Sequence, residues 1–202
     1  MAELFNKSSM IYIEDKNIVI ITPPHTASLN VHKGLGDNAY WVIGEDPFDE
    51  NSINHHCVKL HNVWKRKKLI GEPLQVYIVC RNPYTRLVGL FLHYEFAQDK
   101  GLIKKYICWE EFVYNKEKLN WMFNKTIAEF IKASELENYE IIRYESLEED
   151  LSKILKHKVS LPSKYHELID LKEWYHDSKL LKYVNDNWAK EDCELFDYPI
   201  IP

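Results

Sequence analysis

The sequence predicts a three-layer α/β domain, a central and mainly parallel sheet flanked by helices. Three observations carry this expectation. Ile18-Val19-Ile20-Ile21 and Gln75-Val76-Tyr77-Ile78-Val79-Cys80 are short runs that read as strands buried on both faces. Each runs into a proline-containing break and then a helical pattern, the alternation that builds parallel sheets. Tyr139 to Tyr144 (YEIIRY) repeats the theme ahead of an acidic helix start.

At 202 residues with 46% hydrophobic content, the chain can bury a full core, and one domain spanning residues 1–202 is the economical reading. No internal repeat or low-complexity segment divides it. A formal charge of -5 argues against nucleic acid as a partner held mainly by charge, while leaving room for a local anion pocket. The opening MAELFNKSSM has no basic segment followed by a long apolar run, and no stretch approaches the ~18 apolar residues of a membrane helix. The expectation is a soluble, cytoplasmic protein without a membrane partner. Cys57, Cys80, Cys108 and Cys193 are scattered with no C-x-x-C pair, which fits reduced thiols used for packing.

Taken in order, Met10 to Glu14 and Asn17 to Ile21 should pair as a hairpin across Asp15-Lys16. Pro23-Pro24 stops the second strand. Thr26, Ala27 and Ser28 can cap a helix from about Thr26 to Gly34 while leaving its first N–H groups open, and Gly34 and Gly36 should end it. A strand, a sharp loop and a bare helix start make a phosphate cradle, because unpaired N–H donors and the helix dipole favour negative charge. The same pattern describes an ordinary strand-to-helix turn, and neither Gly-x-Gly-x-x-Gly nor Gly-x-x-x-x-Gly-Lys-Ser/Thr is present.

Tyr40-Trp41-Val42-Ile43 predicts a strand, and Glu45 to Asn54 is polar and irregular. His55 and His56 precede a predicted helix, Val58 to Lys68. Neighbouring side chains point in different directions, so the two do not chelate one metal; each reads as an exposed polar residue or as a catalytic one. Lys65-Arg66-Lys67-Lys68 reads as a solvated helix end or as an attractor of anionic substrate.

Arg81 directly follows the strand Gln75 to Cys80, and Pro83 suits the first turn of a helix that buries Leu87, Val88, Leu90, Phe91 and Tyr94. Open α/β sheets place ligands at the carboxyl ends of parallel strands, where a guanidinium can grip a phosphate through two parallel hydrogen bonds. The alternative for Arg81 is a surface ion pair. Trp109 to Leu119 and Trp121 to Ser134 predict helices with aromatic core faces. Ser146 should cap a helix with an acidic first turn, Glu148-Glu149-Asp150. Val159 to Glu173 reads as a loop and Asp177 to Lys190 as the last helix, with Phe196 and Tyr198 pinning the tail.

With both strand ends read, the chain resembles the carbohydrate-type sulfotransferases, the group that includes heparan and chondroitin sulfotransferases, over nearly its whole length. That family's first strand ends in Pro-Lys-Thr-Ala/Gly-Gly/Ser-Thr-Ser, which holds the 5′-phosphosulfate of 3′-phosphoadenosine 5′-phosphosulfate (PAPS). Here stand Pro24-His25-Thr26-Ala27-Ser28-Leu29-Asn30. A later strand ends in Val-Arg-Asp/Asn-Pro-Tyr/Phe-x-Arg-Leu-Val-Ser, whose Arg and Ser bind the 3′-phosphate. The similar stretch is Val79-Cys80-Arg81-Asn82-Pro83-Tyr84-Thr85-Arg86-Leu87-Val88-Gly89. Ile142 to Asp150 looks like the family's Phe/Tyr-Glu-x-Leu strand-helix segment, and Tyr175 to Tyr198 like its closing Tyr…Asp-x-x-x-Phe-x-Tyr pattern.

The resemblance implies a P-loop-like sulfotransferase fold and transfer of a sulfonate group from PAPS to a hydroxyl or amine of a small-molecule or glycan acceptor, with no metal. It assigns Pro24, His25, Thr26, Ala27, Ser28 and Leu29 to the 5′-phosphosulfate, with the Thr26 and Ser28 hydroxyls taking part. Arg81 clamps the 3′-phosphate, with Gly89 at the serine position. His25 stabilises charge on the leaving side, and His55 or His56, the latter slightly preferred, is the general base. A bacterial, phage or viral source is implied.

Two positions depart from the pattern. His25 replaces a lysine, and an imidazole with an ordinary pKa near ~6.5 is mostly neutral at neutral pH. Gly89 replaces a serine, removing a contact to a charged phosphate worth ~1.5–3 kcal/mol. A second expectation is therefore a sulfotransferase-fold binding protein with weak or no transfer activity. A small-molecule kinase, the third, lacks its Gly-Lys-Ser/Thr loop and an obvious pair of magnesium carboxylates. The acceptor is expected at the loops Glu45 to Asn54 and Lys100 to Ile107. Tyr40, Trp41, Tyr106 and Trp109 either stack on a sugar or fill the core.

Overall fold

The apolar runs become a mixed sheet in the computed structural model, which describes residues 10–35, 39–41, 75–101, 107–119, 121–133, 138–162 and 169–202. The first half of the chain gives β1 (Met10–Ile13), β2 (Ile18–Ile21), α1 (Ser28–Leu35), β3 (Ala39–Trp41), β4 (Gln75–Cys80) and α2 (Pro83–Asp99). Then come α3 (Trp109–Tyr114), α4 (Trp121–Asn124), α5 (Ile127–Ala133), β5 (Glu140–Arg143), α6 (Leu147–Leu155), α7 (Leu171–Trp174), α8 (Ser178–Val184) and α9 (Lys190–Phe196). These elements fall into two units that interleave in sequence. Met1–Cys80 and Phe130–Ser163 make one, Arg81–Glu129 and Lys164–Pro202 the other. Among the described residues no helix is long and apolar enough to cross a membrane.

In the sheet unit the strand order is β3-β1-β2-β4-β5. β1 pairs antiparallel with β2 and β3, while β2–β4 and β4–β5 are parallel, so β1 alone runs against the other four. The predicted hairpin turns through Glu14–Lys16, and Asn17 takes the left-handed conformation (φ 53°) that asparagine tolerates. Register brings Ile11 and Ile13, Ile18 and Ile20, Tyr77 and Val79, and Ile142 to one face. Val31 of α1 and Leu147, Leu151 and Leu155 of α6, spaced to share one side of their helix, belong to the same core. On the opposite face Val19 is 1% exposed and Ile21, Ile78 and Cys80 are 0% exposed, so the middle strands are buried on both sides.

Two local readings in this unit are corrected. α1 begins at Ser28 rather than Thr26, and Gly34 lies inside it. A Cβ there would collide with the Leu161 side chain and stand 3.1 Å from the Ser160 carbonyl oxygen, so the glycine admits a crossing segment instead of stopping the helix. Ser146 precedes α6 as expected but does not cap it with its hydroxyl. Its Oγ donates to Asp150 Oδ2 at 2.6 Å, because a carboxylate one turn away is a stronger acceptor than any use of the hydroxyl on backbone N–H groups. Gly36, Val42, Ile43, His55, His56, the predicted helix Val58 to Lys68 and the 45–54 loop lie outside the described residues, as do residues 102–106.

In the helical unit, Asn82 Oδ1 accepts from the N–H groups of Tyr84 and Thr85 at 3.0 and 3.3 Å, and Pro83 takes the first position of α2. Leu87, Val88, Leu90, Phe91 and Tyr94 are buried as the sequence predicts. Phe91 meets Trp109 and Phe112 edge-on at 5.4 Å and Trp174 at 5.8 Å. The buried indoles keep their N–H bonds, Trp109 to the Trp174 carbonyl and Trp188 to that of Val113, each at 3.0 Å.

The helix expected over 121–134 is broken. Thr126 and Glu129 form a reciprocal cap: Thr126 N–H donates to Glu129 Oε2 at 2.7 Å and Glu129 N–H to Thr126 Oγ1 at 3.0 Å, which starts α5 afresh. The expected 159–173 loop contains the short helix α7, with Asp170 accepting from Lys172 N–H. The last predicted helix is α8, capped by Asp177, followed by a π-helical turn over Asn185–Ala189 and then by α9. Phe196 is buried, and the tail is also held at Ile201. Its N–H donates to Tyr84 Oη at 3.1 Å and its carbonyl accepts from Asn185 Nδ2 at 2.9 Å.

α9 places Asp192, fully buried, at the start of α5, where its carboxylate accepts from Ile127 N–H at 3.1 Å and Ala128 N–H at 2.7 Å. Burial pushes the Asp192 pKa up, opposed by the Arg86 charge and by these two donors. Arg86, itself buried, donates to the Lys125 carbonyl at 3.0 Å. Desolvation pushes its pKa down to about 10, with Asp192 opposing and Arg81 adding to the effect, so it stays charged at neutral pH. Removing Asp192 would strip α5 of two caps and Arg86 of a counter-charge. Asp192→Ala should lower the unfolding free energy by about 3 kcal/mol in urea titration, and Asp192→Asn, which keeps an acceptor, by clearly less. Equal losses would show that the carboxylate's charge and caps contribute nothing.

Candidate functional site

Parallel pairing of β2, β4 and β5 sends their carboxyl ends to one edge of the sheet. From that edge β2 continues into the 22–27 loop. Thr26, 0% exposed, closes the loop by donating twice to the Pro23 carbonyl, through its hydroxyl at 2.7 Å and its N–H at 3.1 Å. Both of its donors are thus engaged within the loop. Thr26 sets the loop's shape, a different part from the phosphate contact its hydroxyl was expected to make.

On either side of Thr26, His25 (φ 64°) and Ala27 (φ 73°) adopt the left-handed conformation, which costs a non-glycine residue roughly 1–2 kcal/mol. Pro24 and His25 are half-buried. The Ala27 carbonyl accepts from Val31 N–H at 2.9 Å, which makes Ala27 the residue at the cap of α1. A methyl group cannot cap. No side chain at that position competes for the leading N–H groups, those of Ser28 and Leu29 among them, and the first turn holds no acidic residue. The loop therefore ends in a helix start suited to an anion.

In the helical unit, Arg81 leaves β4 by peptide connection and is only 5% exposed, which removes the reading of a surface ion pair. Its Nε donates to Thr85 Oγ1 at 3.2 Å. Its Nη1 lies 3.2 Å from the point a Cβ on Gly89 would occupy. Arg81 and Arg86 are close enough that each disfavours the other's charge, so this end of α2 is strongly electropositive.

Of the other residues expected to act, His55 and His56 lie outside the described residues, as does Tyr106. Trp109 is buried in the aromatic core and cannot stack on a sugar. Cys80 and Cys193 are buried and Cys108 is exposed, so packing does not account for all the described thiols. Among the described residues no group of three or more His, Cys, Asp or Glu is placed to hold a metal ion. Thr85 carried a readable signal that the sequence reading passed over, its position four residues after Arg81 at a helix start. Comparison of the chain with protein-family models, with curated proteins and with solved structures gave no match.

The left-handed turn at residue 27 leaves little choice of side chain. Ala27→Val, branched at Cβ, should lower stability by about 2 kcal/mol, while Ala27→Gly should stay within about 1 kcal/mol of the parent. Thermal unfolding of the two variants side by side measures this; a valine variant as stable as the parent would mean the loop does not depend on the conformation at residue 27.

Proposed function

We propose that the protein is a PAPS-dependent sulfotransferase of P-loop-like fold that moves a sulfonate group to a hydroxyl or amine of a small-molecule or glycan acceptor. The observation that carries this reading is the stretch Arg81 to Gly89, set directly after a parallel strand with its leading guanidinium buried. The loop at residues 22–28 supports it independently, because its uncapped helix start follows another strand of the same parallel set.

The roles follow from the chemistry. The leading N–H groups of α1 would hold the 5′-phosphosulfate, and His25 would donate a hydrogen bond to the oxygen bridging phosphorus and sulfur. Arg81 would clamp the 3′-phosphate. The acceptor oxygen or nitrogen attacks sulfur as the bridging S–O bond breaks. The electron pair of that bond leaves with the bisphosphate, and the acceptor's proton passes to His55 or His56 as general base. Positioning and charge stabilisation carry such a displacement. Free thiols at Cys80, Cys108 and Cys193 fit a reducing, cytoplasmic setting.

A second reading, a binding protein that keeps the nucleotide site without turnover, is favoured by Gly89, where the Arg81 guanidinium lies against bare backbone, and by His25. Calorimetric titration with adenosine 3′,5′-bisphosphate decides whether there is a nucleotide site at all. Micromolar binding that weakens about 10- to 100-fold in Arg81→Ala supports both readings, and no binding by the folded parent overturns both. His25→Lys then separates them. In an enzyme it should raise PAPS hydrolysis or transfer severalfold, since a fixed positive charge stabilises the leaving bisphosphate; in a pure binder it produces no turnover.

A further inference from the structure

The Arg81 guanidinium is fixed at two points, both on the helix it precedes. Nε donates to Thr85 Oγ1, and that hydroxyl commits its own hydrogen to the Asn82 carbonyl at 3.1 Å. A hydroxyl has one hydrogen, so Thr85 can only accept from Arg81 and its role does not alternate. Asn82 is in turn held by capping α2, through Tyr84 N–H and Thr85 N–H. The second point is Gly89. Nη1 approaches its backbone to 3.2 Å from the ideal Cβ position, closer than a side chain there would allow without displacing the guanidinium.

Residues 81, 85 and 89 are spaced four apart and line one side of the first turns of α2. This placement works against electrostatics. The positive end of the helix dipole and the buried Arg86 both disfavour a cation here, so the position depends on the hydroxyl and on the bare backbone at residue 89.

We infer that Thr85 is a positioning residue that orients Arg81 for a phosphate monoester on the ribose, with Gly89 as the seat of the guanidinium. The identity of the ligand rests on the sulfotransferase reading; the positioning rests on the geometry of α2. One consequence is counter-intuitive. Restoring a serine at residue 89 weakens nucleotide binding, because the guanidinium already occupies that space.

Titration of the parent, Thr85→Val, Thr85→Ser, Gly89→Ala and Gly89→Ser with adenosine 3′,5′-bisphosphate and with adenosine 5′-monophosphate tests this. Thr85→Val should lose about 10-fold in affinity for the bisphosphate with the monophosphate unchanged, and Thr85→Ser should recover it. Gly89→Ala and Gly89→Ser should weaken the bisphosphate selectively. Should Thr85→Val fail to fold by circular dichroism, the two Gly89 variants decide. Full bisphosphate preference in Thr85→Val, or tighter binding in Gly89→Ser, overturns the positioning role while leaving the sulfotransferase reading standing. A folded parent that does not prefer the bisphosphate overturns that reading and the inference with it.

Discussion

Parallel pairing of β2, β4 and β5 is the constraint on which the rest depends. Strands that run the same way cannot be joined by tight turns, so the chain must leave the sheet and return between each pair. The excursions supply α1 and α6, which cover one face of the sheet unit. They also supply the residues of the helical unit, which the chain enters on leaving β4 and leaves through α5 before β5. The same rule makes the carboxyl ends of the three strands coincide at one edge. That edge is where the chain presents its least ordinary backbone and its most buried cation.

Those features are locally unfavourable. His25 and Ala27 are left-handed without being glycine, and Arg81 and Arg86 are guanidinium groups withdrawn from water beside one another. Elsewhere the chain follows local preference closely: Asn82 and Asp177 cap helices, Thr126 and Glu129 cap each other, and buried indoles keep acceptors. A sequence consistent everywhere except at one edge is what a binding edge would require, since strain and buried charge persist only where surrounding packing holds them.

What could be read ahead of the structure was local. β4, the helix opened by Pro83 and the early hairpin follow from runs of a few residues, and each forms where expected. Errors arose where one residue type serves two purposes. Gly34 reads as a stop but serves close packing, and Ser146 reads as a cap but serves Asp150. Thr126-x-x-Glu129 was visible as a pattern and was obscured by the aromatic periodicity around it. The Asp192 caps on Ile127 and Ala128 could not be read at all, because 65 and 64 residues separate the partners and no local preference records them. At the candidate site, Arg81 was legible from its place after a strand, whereas the approach of its guanidinium to Gly89 depends on a rotamer.

The π-helical turn at Asn185–Ala189 bears on how the chain tolerates changes in length. Such a turn accommodates one residue more than a regular α-helix would hold over the same span. α8, the turn and α9 are continuous, so the wide turn sets the azimuth of everything after it. Deleting a single residue there would let the three segments anneal into one regular helix, advancing α9 by roughly 100° about its axis. Asp192 would then swing off the start of α5, and Tyr84 would lose the phase of Asn185 that ties down Ile201. Homologues should therefore vary freely in the loops flanking this segment but keep its residue count fixed, a frame set by helical phase.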